Sequence, residues 1–430
     1  MRISPLALRP ESLWQAARSR GATTAASAIL GAIVAIESLH AGAPVAAANA
    51  AATADGRRLD PADRPVADPN QPEGRFVRSI EAMREGRSAD ALREIDAAIA
   101  LAPNFQLAQM VRGDLLLARA GRLPPRLESF GQTPLIDLER EARARLAHYG
   151  RSHHEADAPR AIVRLAPGQH YALVVDISEN RLYVYRNEGG EPRYVTDYYT
   201  TTGRDGALKS EEGDARTPVG VYNVVSNIDR RKLTDFYGTG AFPLSYPNEW
   251  DRMLGRQGHG IWLHGTPHDS YSRPPRASNG CVVLANKDLD SLGKIIEVGV
   301  TPVVIAEHID WIPREAARAE GEALMRSLSN TGAPPTLSQD DRVLPSALAP
   351  NFGARKVRVD YVAQGAIPSA PAPRLPKDDG LAVFRYPGAD QLMLITFDRA
   401  RAGEDMRRGS TVRQYWSRDK ETWKIVYETQ

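Results

Sequence analysis

Apolar residues change their spacing along the chain, and each change predicts a different kind of secondary structure. Between Phe76 and Gly121 they recur every three or four positions, which predicts two or three amphipathic helices. From Tyr171 to Ala306 the spacing is two, interrupted by polar turns and by a helix that begins at Asn286, which predicts a β-rich domain. Four further alternating runs predict a small antiparallel sheet: Leu381–Tyr386, Leu392–Phe397, Thr411–Trp416 and Trp423–Tyr427.

Segments without periodicity separate these regions and set the expected boundaries. Residues 51–74 are rich in Ala, Asp, Pro and Arg, and residues 328–376 are rich in Pro and Ala, so both are predicted to be linkers. Within the second linker only Lys356–Val362 has the pattern of a strand. The expected folded regions are a helical one (75–150), a β-rich one (166–308) and a small β domain (377–430).

The first 50 residues have the pattern of an export signal. Residues 1–20 carry four arginines and one acid, and Gly21–Ile36 follows without a charge. This run is shorter than the roughly 20 residues that span a bilayer, and small residues suited to signal cleavage occur at Val45–Ala50. We therefore expect residues 1–50 to be a cleaved signal peptide and the remaining chain to be periplasmic. An uncleaved inner-membrane anchor is the alternative.

Charge and cysteine content narrow the chemistry. The 55 basic and 53 acidic residues give a net charge of +2, so nucleic acid is not expected as a partner. Cys281 is the only cysteine, which excludes an intramolecular disulfide and a cysteine-rich zinc site. His153 and His154 lie in a polar run and are expected to be solvated. No metal or cofactor is predicted.

The setting of Cys281 predicts a nucleophilic thiol. Ser278, Asn279 and Gly280 form a turn that leads through Cys281 into the apolar strand Val282–Leu284, and such a turn presents a side chain to solvent. The backbone amides of Gly280 and Cys281 are candidate donors to the oxyanion of a tetrahedral intermediate. A nucleophilic cysteine also needs a histidine within hydrogen-bond reach to accept its proton.

His259, His264 and His268 are the three histidines nearest before the cysteine in sequence, and His264 is the preferred partner. It ends the strand Ile261–His264, and strand alternation directs it away from the side that His259 faces. His268 lies in the following loop, after Pro267. The same proline disrupts helical spacing, which argues against a metal site formed by these histidines and the cysteine.

Three motifs resemble, in order and spacing, the L,D-transpeptidase catalytic domain, also called the YkuD domain: Lys209–Tyr222 (KSEEGDARTPVGVY), Gly260–Gly265 (GIWLHG) and Ser278–Val282 (SNGCV). The resemblance covers about residues 168–306. It implies a mainly β, sandwich-like catalytic domain and a thiol acyltransferase that acts on peptidoglycan stem peptides. It also implies that Cys281 is the nucleophile, that His264 is the base and that the carbonyl of Gly265 orients the imidazole.

The implied reaction removes the terminal D-Ala from a tetrapeptide stem through a thioester at Cys281. An amine of a second stem or of a protein lysine then accepts the acyl group, which gives an L,D-crosslink or a wall-attached protein. Attack by water instead gives a hydrolase of stem-peptide or lipoprotein–peptidoglycan links, and the sequence leaves these acceptors open. A non-catalytic wall-binding scaffold is a third interpretation, disfavoured because Cys281, His264 and Gly280 occur together.

The chain departs from the usual Ser-His-Gly-Cys-x-Arg ending of the family at two positions. Asn279 stands where that histidine often lies, and Val283 stands where the arginine lies. Because such an arginine recognises a carboxylate, we expect another residue to take over that role. The expected substitutes are Arg273, Arg276 and Asn286, and the other substrate-binding candidates are Ser278, Asn279 and Tyr246.

Two segments are expected to shape the cleft. Asp214–Tyr222 has the residues of a turn followed by the start of a strand. Asp235–Asn248 is rich in aromatic residues and turn formers, which predicts a long loop that is either a substrate lid or a packed Ω-loop.

The flanking regions carry weaker resemblances. Glu85–Leu92 and Ala98–Asn104 resemble one tetratricopeptide repeat and the start of a second, and such a region would dock a wall-attached protein or a protein of the division or elongation machinery. The C-terminal strands faintly resemble those of nuclear-transport-factor-like domains. The expected fold class is multidomain, with a mainly β catalytic domain between an α-helical repeat-like N-terminal region and a small antiparallel sheet.

Overall fold

The computed structural model describes residues 68, 70–122, 133–149, 156–330, 380–398, 411–419 and 422–429. These residues fold as two compact units. One contains the described residues up to Tyr149 together with Asp269–Pro275, and the other contains the remainder. The predicted signal peptide, most of both predicted linkers, the two adjacent histidines and Lys356–Val362 lie outside the described residues. No helix in the described ranges has the length and apolar content needed to cross a membrane.

The first unit is helical. Its described helices are α1 (Pro72–Arg84), α2 (Ser88–Leu101), α3 (Gln106–Arg119) and α4 (Thr133–Tyr149). Phe76, Ile95 and Val111 are fully buried, as the helical spacing predicts, whereas Leu116 on the expected apolar face is 41% exposed. α1 begins at Pro72, inside the segment predicted as a linker, because proline is well suited to a first helical turn. The resemblance to a tetratricopeptide repeat stays a prediction.

The second unit is mainly β. Its described strands are β1 (Asp157–Pro159), β2 (Ile162–Arg164), β3 (Tyr171–Asp176), β4 (Arg181–Glu188), β5 (Glu191–Gly203), β6 (Gly220–Asn223), β7 (Ile228–Asp229), β8 (Gly240–Pro243), β9 (Trp262–His264), β10 (Arg276–Ser278), β11 (Val282–Leu284), β12 (Pro302–Ala306), β13 (Trp311–Pro313), β14 (Ala382–Arg385), β15 (Leu392–Asp398), β16 (Thr411–Asp419) and β17 (Thr422–Glu428). Its helices are α5 (Glu249–Met253), α6 (Asn286–Gly293) and α7 (Arg314–Asn330).

Ten of the described strands form the central sheet, in the order β6-β12-β3-β4-β5-β11-β9-β8-β7, with β10 paired to β5. The sheet is mixed, because β12 runs parallel to β3 and β11 runs parallel to β9. The prediction of a mainly β central domain is confirmed, and these strands make one continuous curled sheet where a sandwich was expected. The parallel β9–β11 pair brings together the two segments that contain His264 and Cys281.

Both faces of the central sheet are buried. Along β3, Leu173 and Val175 belong to the core within the curl of the sheet. Their neighbours Ala172 and Val174 belong to a second core that includes Phe384 of β14. The alternating pattern therefore predicts the strand correctly but not the environment of its second face, which a further sheet covers.

That further sheet has the order β17-β16-β15-β14-β2. The four predicted C-terminal strands are present, but the layer extends beyond the expected range 377–430, because β2 lies before the central sheet in sequence. Leu324 and Leu328 of α7 pack in one apolar cluster with Met393 and Trp416, so this helix also belongs to the layer. The C-terminal strands are thus one layer of the second unit and share a core with the central sheet.

A polar cluster lies in the buried space between the two sheets. We name it the interlayer cluster, and its members are Tyr222, Asn248, Asp251, Arg256 and Tyr386. Asp251 Oδ1 accepts from Arg256 Nη1 at 2.8 Å, and Asn248 Nδ2 donates to the Tyr386 hydroxyl at 3.0 Å. Asn248 and Asp251 also form a reciprocal capping box at the start of α5. The cluster therefore joins α5 of the central domain to the C-terminal layer.

The segment Asp235–Asn248 differs from the expected long loop. It begins with a short 3-10 turn at Asp235–Tyr237 and continues into β8, which pairs with β7 and β9. Its last residues are buried, with Tyr246 5% and Asn248 4% exposed. Neither a lid nor an Ω-loop describes this segment, because strand pairing satisfies much of its backbone.

Candidate active site

Strand register places His264 and Cys281 on one side of the central sheet. In the parallel β9–β11 pair, Leu263 lies opposite Val282 and His264 lies opposite Val283. Leu263 and Val282 point into the apolar core, so the alternate residues face the other way. Cys281 directly precedes β11 and shares the parity of Val283, which directs its side chain to the face that carries His264.

The hydrogen bond of His264 selects the tautomer of its neutral ring. Nδ1 lies 2.7 Å from the carbonyl oxygen of Gly265. A carbonyl oxygen only accepts, so Nδ1 carries the proton and Nε2 keeps the lone pair of the neutral imidazole. The side chain is 1% exposed, which holds the ring in one orientation. This arrangement gives His264 the form that a base requires.

Aromatic rings surround His264. The ring of Tyr237 lies edge-on to the imidazole, with centroids 5.1 Å apart, and the ring of Phe236 lies at 5.8 Å. Tyr237 also packs against Trp262, and its carbonyl accepts from the amide of Gly265 at 3.0 Å. Phe236 is 47% exposed. One wall of the site is therefore aromatic, and Phe236 presents part of it to solvent.

Asn286 holds the backbone that follows His264. Its Oδ1 accepts from the amides of Thr239 and Thr266 at 3.1 and 3.2 Å, and its Nδ2 donates to the carbonyl of Thr266 at 2.9 Å. A side chain at Gly265 would meet this amide, because a Cβ there would lie 2.1 Å from Asn286 Oδ1. The amide of Asn286 is thus engaged with the backbone of Thr239 and Thr266, which corrects the expectation that Asn286 takes over recognition of a carboxylate.

The Cys281 turn, residues Ser278–Cys281, is held by its own serine. Ser278 Oγ donates to the carbonyl of Cys281 at 2.6 Å and accepts from the amide of Gly280 at 3.1 Å. The Gly280 amide is thereby engaged within the turn, which corrects its expected role as an oxyanion donor; the Cys281 amide stays a prediction for that role. The thiol itself is partly exposed and donates to the carbonyl of Gly260 at 3.3 Å.

Gly280 is required by both its conformation and its surroundings. Its φ is 120°, a region that residues with a Cβ rarely adopt. A Cβ would also lie 2.6 Å from the carbonyl oxygen of Arg216. The motif residue therefore allows the turn to lie directly against the backbone at Arg216.

Thr217 stabilises this contact, a role that the sequence analysis does not predict. Its hydroxyl donates to the carbonyl of Gly280 at 3.0 Å and accepts from the amide of Gly203 at 2.8 Å. The side chain is fully buried. Its place directly after Arg216 in the first motif is the one signal in the sequence, and that signal equally suits an ordinary turn residue.

Asp214 orders the loop that presents Thr217. Its carboxylate accepts from the amides of Ser210, Glu211 and Arg216 and from the ammonium of Lys209 at 2.7 Å. Burial opposes the charge of Asp214, but Lys209 and these amides outweigh that effect and lower the pKa of the carboxyl. The turn expected at Asp214–Tyr222 lies slightly earlier, at residues 211–214, and the expected strand begins at Gly220; the Lys209–Asp214 pair is the charged core of this loop.

The remaining substrate-binding candidates fall in different places. Arg276 and Asn279 are exposed in the second unit; Asn279 lies within the Cys281 turn, and Arg276 lies two residues before it. Arg273 lies in Asp269–Pro275, which folds with the helical unit. Tyr246 is a core residue whose hydroxyl donates to the carbonyl of Gln257 at 2.9 Å. Ser278 is buried and committed to the turn, so of this set the exposed pair is the better placed to meet a substrate.

Val283 leaves the position beside His264 apolar. It lies opposite His264 in the β9–β11 pair and is 2% exposed. Val283 therefore supplies no guanidinium at this position. Within the described ranges, no group of three or more His, Cys, Asp or Glu side chains is arranged to hold a metal ion.

The comparison with known structures gives distant similarities. Bd1075 from Bdellovibrio bacteriovorus is 20% identical, with 64% of this chain and 98% of that chain covered and a TM-score of 0.43. The helical cell shape determining protein Pgp2 from Campylobacter jejuni is 19% identical, with 63% and 95% covered and a TM-score of 0.41. An L,D-transpeptidase from Mycobacterium smegmatis is 15% identical, with 32% and 58% covered and a TM-score of 0.21. The comparison with curated proteins gives no match.

The family comparison is specific. The profile of the YkuD L,D-transpeptidase catalytic domain matches residues 170–305, which run from the start of β3 to the end of β12. The match includes all three motifs and both strands of the β9–β11 pair. Residues 170–305 of this chain are therefore an L,D-transpeptidase catalytic domain of the YkuD type.

Proposed function

We propose that this protein is a cysteine-dependent L,D-transpeptidase that acts on tetrapeptide stems of peptidoglycan. The observation that carries the proposal is the geometry of His264. Its Nδ1 proton is bound by the carbonyl of Gly265, and strand register places the ring on the face that Cys281 shares. The family match supports peptidoglycan as the substrate.

The reaction begins with transfer of the thiol proton of Cys281 to Nε2 of His264. The thiolate attacks the carbonyl carbon of the L-centre of diaminopimelate, and a tetrahedral intermediate forms. The C–N bond to the terminal D-Ala then breaks, and His264 returns its proton to the departing amine. The product is a thioester. An acceptor amine attacks it, its surplus proton passes through His264 to the sulfur, and the thiol is regenerated.

Recognition of the terminal carboxylate is assigned to Arg276 in this proposal. It lies in β10, two residues before Ser278, and its side chain is exposed. Arg273, the other arginine expected to take this role, serves as the matched comparison. We expect Arg276→Ala to raise KM for a tetrapeptide stem by about tenfold and Arg273→Ala to leave it unchanged. Equal KM values for both variants and the wild type would remove the arginine assignment.

The proposal carries two further expectations. Peptidoglycan lies outside the cytoplasmic membrane, so the substrate requires the periplasmic location that residues 1–50 predict. The helical unit is proposed to bind a wall-attached protein or a component of the division or elongation machinery. The exposed Leu116 on α3 is one apolar position available for such a contact.

Intact-mass spectrometry with a disaccharide-tetrapeptide tests the function. The wild type is expected to gain the mass of the acyl tripeptide unit, and Cys281→Ala is expected to gain nothing. His264→Gln keeps a side chain of similar size without a base and is expected to slow acylation by at least a hundredfold. Muropeptide analysis of the same mixtures identifies the acceptor. Dimers indicate the transpeptidase, tripeptide monomers alone indicate the hydrolase, and no adduct would favour the wall-binding scaffold.

A further inference from the structure

Residues Asp269–Pro275 connect the two motifs of the candidate site but fold with the helical unit. The chain leaves His264 at the end of β9 and returns to the Cys281 turn through this segment. The contacts that Tyr271 and Ser272 make lie within the helical unit, to which the segment belongs. The segment therefore has two roles. It connects His264 to Cys281 along the chain, and it packs with the helices.

Tyr271 and Ser272 hold the segment. The ring of Tyr271 lies 4.4 Å from that of Phe105, and its amide donates to the carbonyl of Asn104 at 3.3 Å. Ser272 Oγ donates to Glu141 Oε1 at 2.6 Å. Phe105 is fully buried and Tyr271 is 9% exposed. The segment is thus fixed by one aromatic contact and two hydrogen bonds.

A buried charge cluster lies beneath this contact. Arg145 Nη1 is 3.0 Å from Glu73 and its Nη2 is 2.8 Å from Glu141, and the three side chains are 2%, 9% and 3% exposed. The guanidinium also lies over the rings of Phe105 and Tyr271, at 5.1 and 5.7 Å. The two buried carboxylates share a single cation, Arg145, which only partly compensates their charges. The hydrogen bond that Ser272 donates to Glu141 adds compensation for the loss of solvent around that carboxylate. This geometry strongly favours one position of the segment.

We propose that Tyr271 and Ser272 are positioning residues: by holding the middle of the connection between the two motifs, they restrict the placement of Cys281 relative to His264. A connection that was anchored only at its ends would sample many conformations, whereas an anchor at its middle divides it into two shorter arms. Displacement by about 1 Å is enough to lower the rate of an enzymatic step by roughly a hundredfold. This inference deepens the proposed function and rests on the thiol–imidazole pair it requires.

Alkylation by iodoacetamide tests the inference without peptidoglycan. Cys281 is the only cysteine, so the full-length protein reports a single thiol, and Cys281→Ala gives the background. The measured quantity is the alkylation rate at neutral pH divided by the rate at a pH where all thiols are ionised. This ratio reports the ionised fraction and cancels differences in access. A thiol paired with histidine has a higher ratio than an ordinary thiol.

The variants are chosen in matched pairs. Tyr271→Ala removes the ring, and Tyr271→Phe keeps it; Ser272→Ala removes the hydroxyl, and Ser272→Thr keeps it. We expect the alanine variants to lower the ratio by roughly tenfold, and the conservative variants to retain the wild-type ratio. Circular dichroism selects variants that are folded, and Ser272→Ala provides the milder change if Tyr271→Ala unfolds.

The outcomes separate the two proposals. A wild-type ratio equal to that of N-acetylcysteine would overturn the thiol–imidazole pair and with it the proposed function. A raised wild-type ratio that folded Tyr271→Ala and Ser272→Ala both retain would overturn the positioning role alone. A raised ratio that falls in the alanine variants and recovers in Tyr271→Phe and Ser272→Thr supports the inference.

Discussion

The Cys281 turn and the interlayer cluster are both polar networks inside the second unit, but they are built from different groups. In the turn, the hydroxyls of Ser278 and Thr217 bind backbone atoms, and the described contacts that hold the turn together involve no charged side chain. The interlayer cluster contains the buried pair Asp251–Arg256 and the phenol of Tyr386. The hydrogen bonds of the turn fix the conformation of one loop, whereas those of the cluster join two layers of the fold.

This difference predicts a separation of activity from stability. A hydroxyl that binds a backbone carbonyl sets the position of a few atoms and contributes about 1 kcal/mol to folding. A buried ion pair contributes little in net terms when intact, but loss of one partner is costly because a buried charge remains. Damage to the turn should therefore reduce catalysis first, and damage to the interlayer cluster should reduce stability first.

The largest expected effect is that of Asp251→Asn. The change leaves the Arg256 guanidinium, which is 8% exposed, without that carboxylate. We expect a loss of about 3–5 kcal/mol in the free energy of unfolding, measured by urea denaturation. The rate of thioester formation per folded molecule should stay at the wild-type value. Arg252→Gln is the control, since Arg252 is exposed on the same short helix.

Gly280→Ala should have the next largest effect, on activity. The new Cβ would meet the carbonyl of Arg216 and hold φ in a strained region, which displaces the thiol. We expect thioester formation to slow by about a hundredfold. Gly206→Ala isolates the effect of strain, because Gly206 also has a positive φ, of 86°, with open space around its Cβ. Similar losses in both variants would show that contact with Arg216 is unimportant.

Thr217→Val tests the smaller contribution of one hydroxyl. Valine keeps the shape of threonine but cannot bind the carbonyl of Gly280 or the amide of Gly203. We expect thioester formation to slow by about tenfold, with a loss of stability of about 1–2 kcal/mol. Thr217→Ser retains the hydroxyl and should remain close to wild type. If Thr217→Val lowered stability alone, the turn would no longer differ from the interlayer cluster in the proposed way.

The same contrast explains which parts of the structure the sequence predicts. The strands and the His264–Cys281 placement follow from periodicity and from motifs that lie close together in sequence. Thr217 is 63 residues from the carbonyl that it binds, and Asn248 is 138 residues from Tyr386. No local pattern records such contacts, because the side chains that form them also suit an ordinary turn or cap.

The second face of the central sheet was missed for a related reason. The apolar run in β3 is consistent with burial on both sides, but the covering layer comes from β2, α7 and strands beyond residue 380. In sequence, β2 precedes the central sheet and the expected linker 328–376 separates α7 from the C-terminal strands, so the sequence pattern predicts separate regions. The role of Asn286 is also absent from the local sequence pattern. Its amide binds backbone atoms of Thr239 and Thr266, which only the fold brings together.

The smallest expected effect on stability is that of replacing Asp214. Its charged carboxylate lies in the loop that precedes Thr217, the residue that binds the Cys281 turn. Its pKa is lowered from the ordinary 3.8, so the unfolded chain binds this proton more readily than the folded protein. The stabilisation is therefore fully present above pH 3.8 and is lost as the pH falls through the lowered value. Asp214→Asn should cost about 1 kcal/mol at neutral pH, and its difference from wild type should shrink on acidification. Asp205→Asn, at a carboxylate that is 58% exposed, is the control and should keep the wild-type free energy of unfolding at neutral pH. Urea denaturation across the acid range measures both, and a difference for Asp214→Asn that stayed constant with pH would show that its charge does not hold the loop.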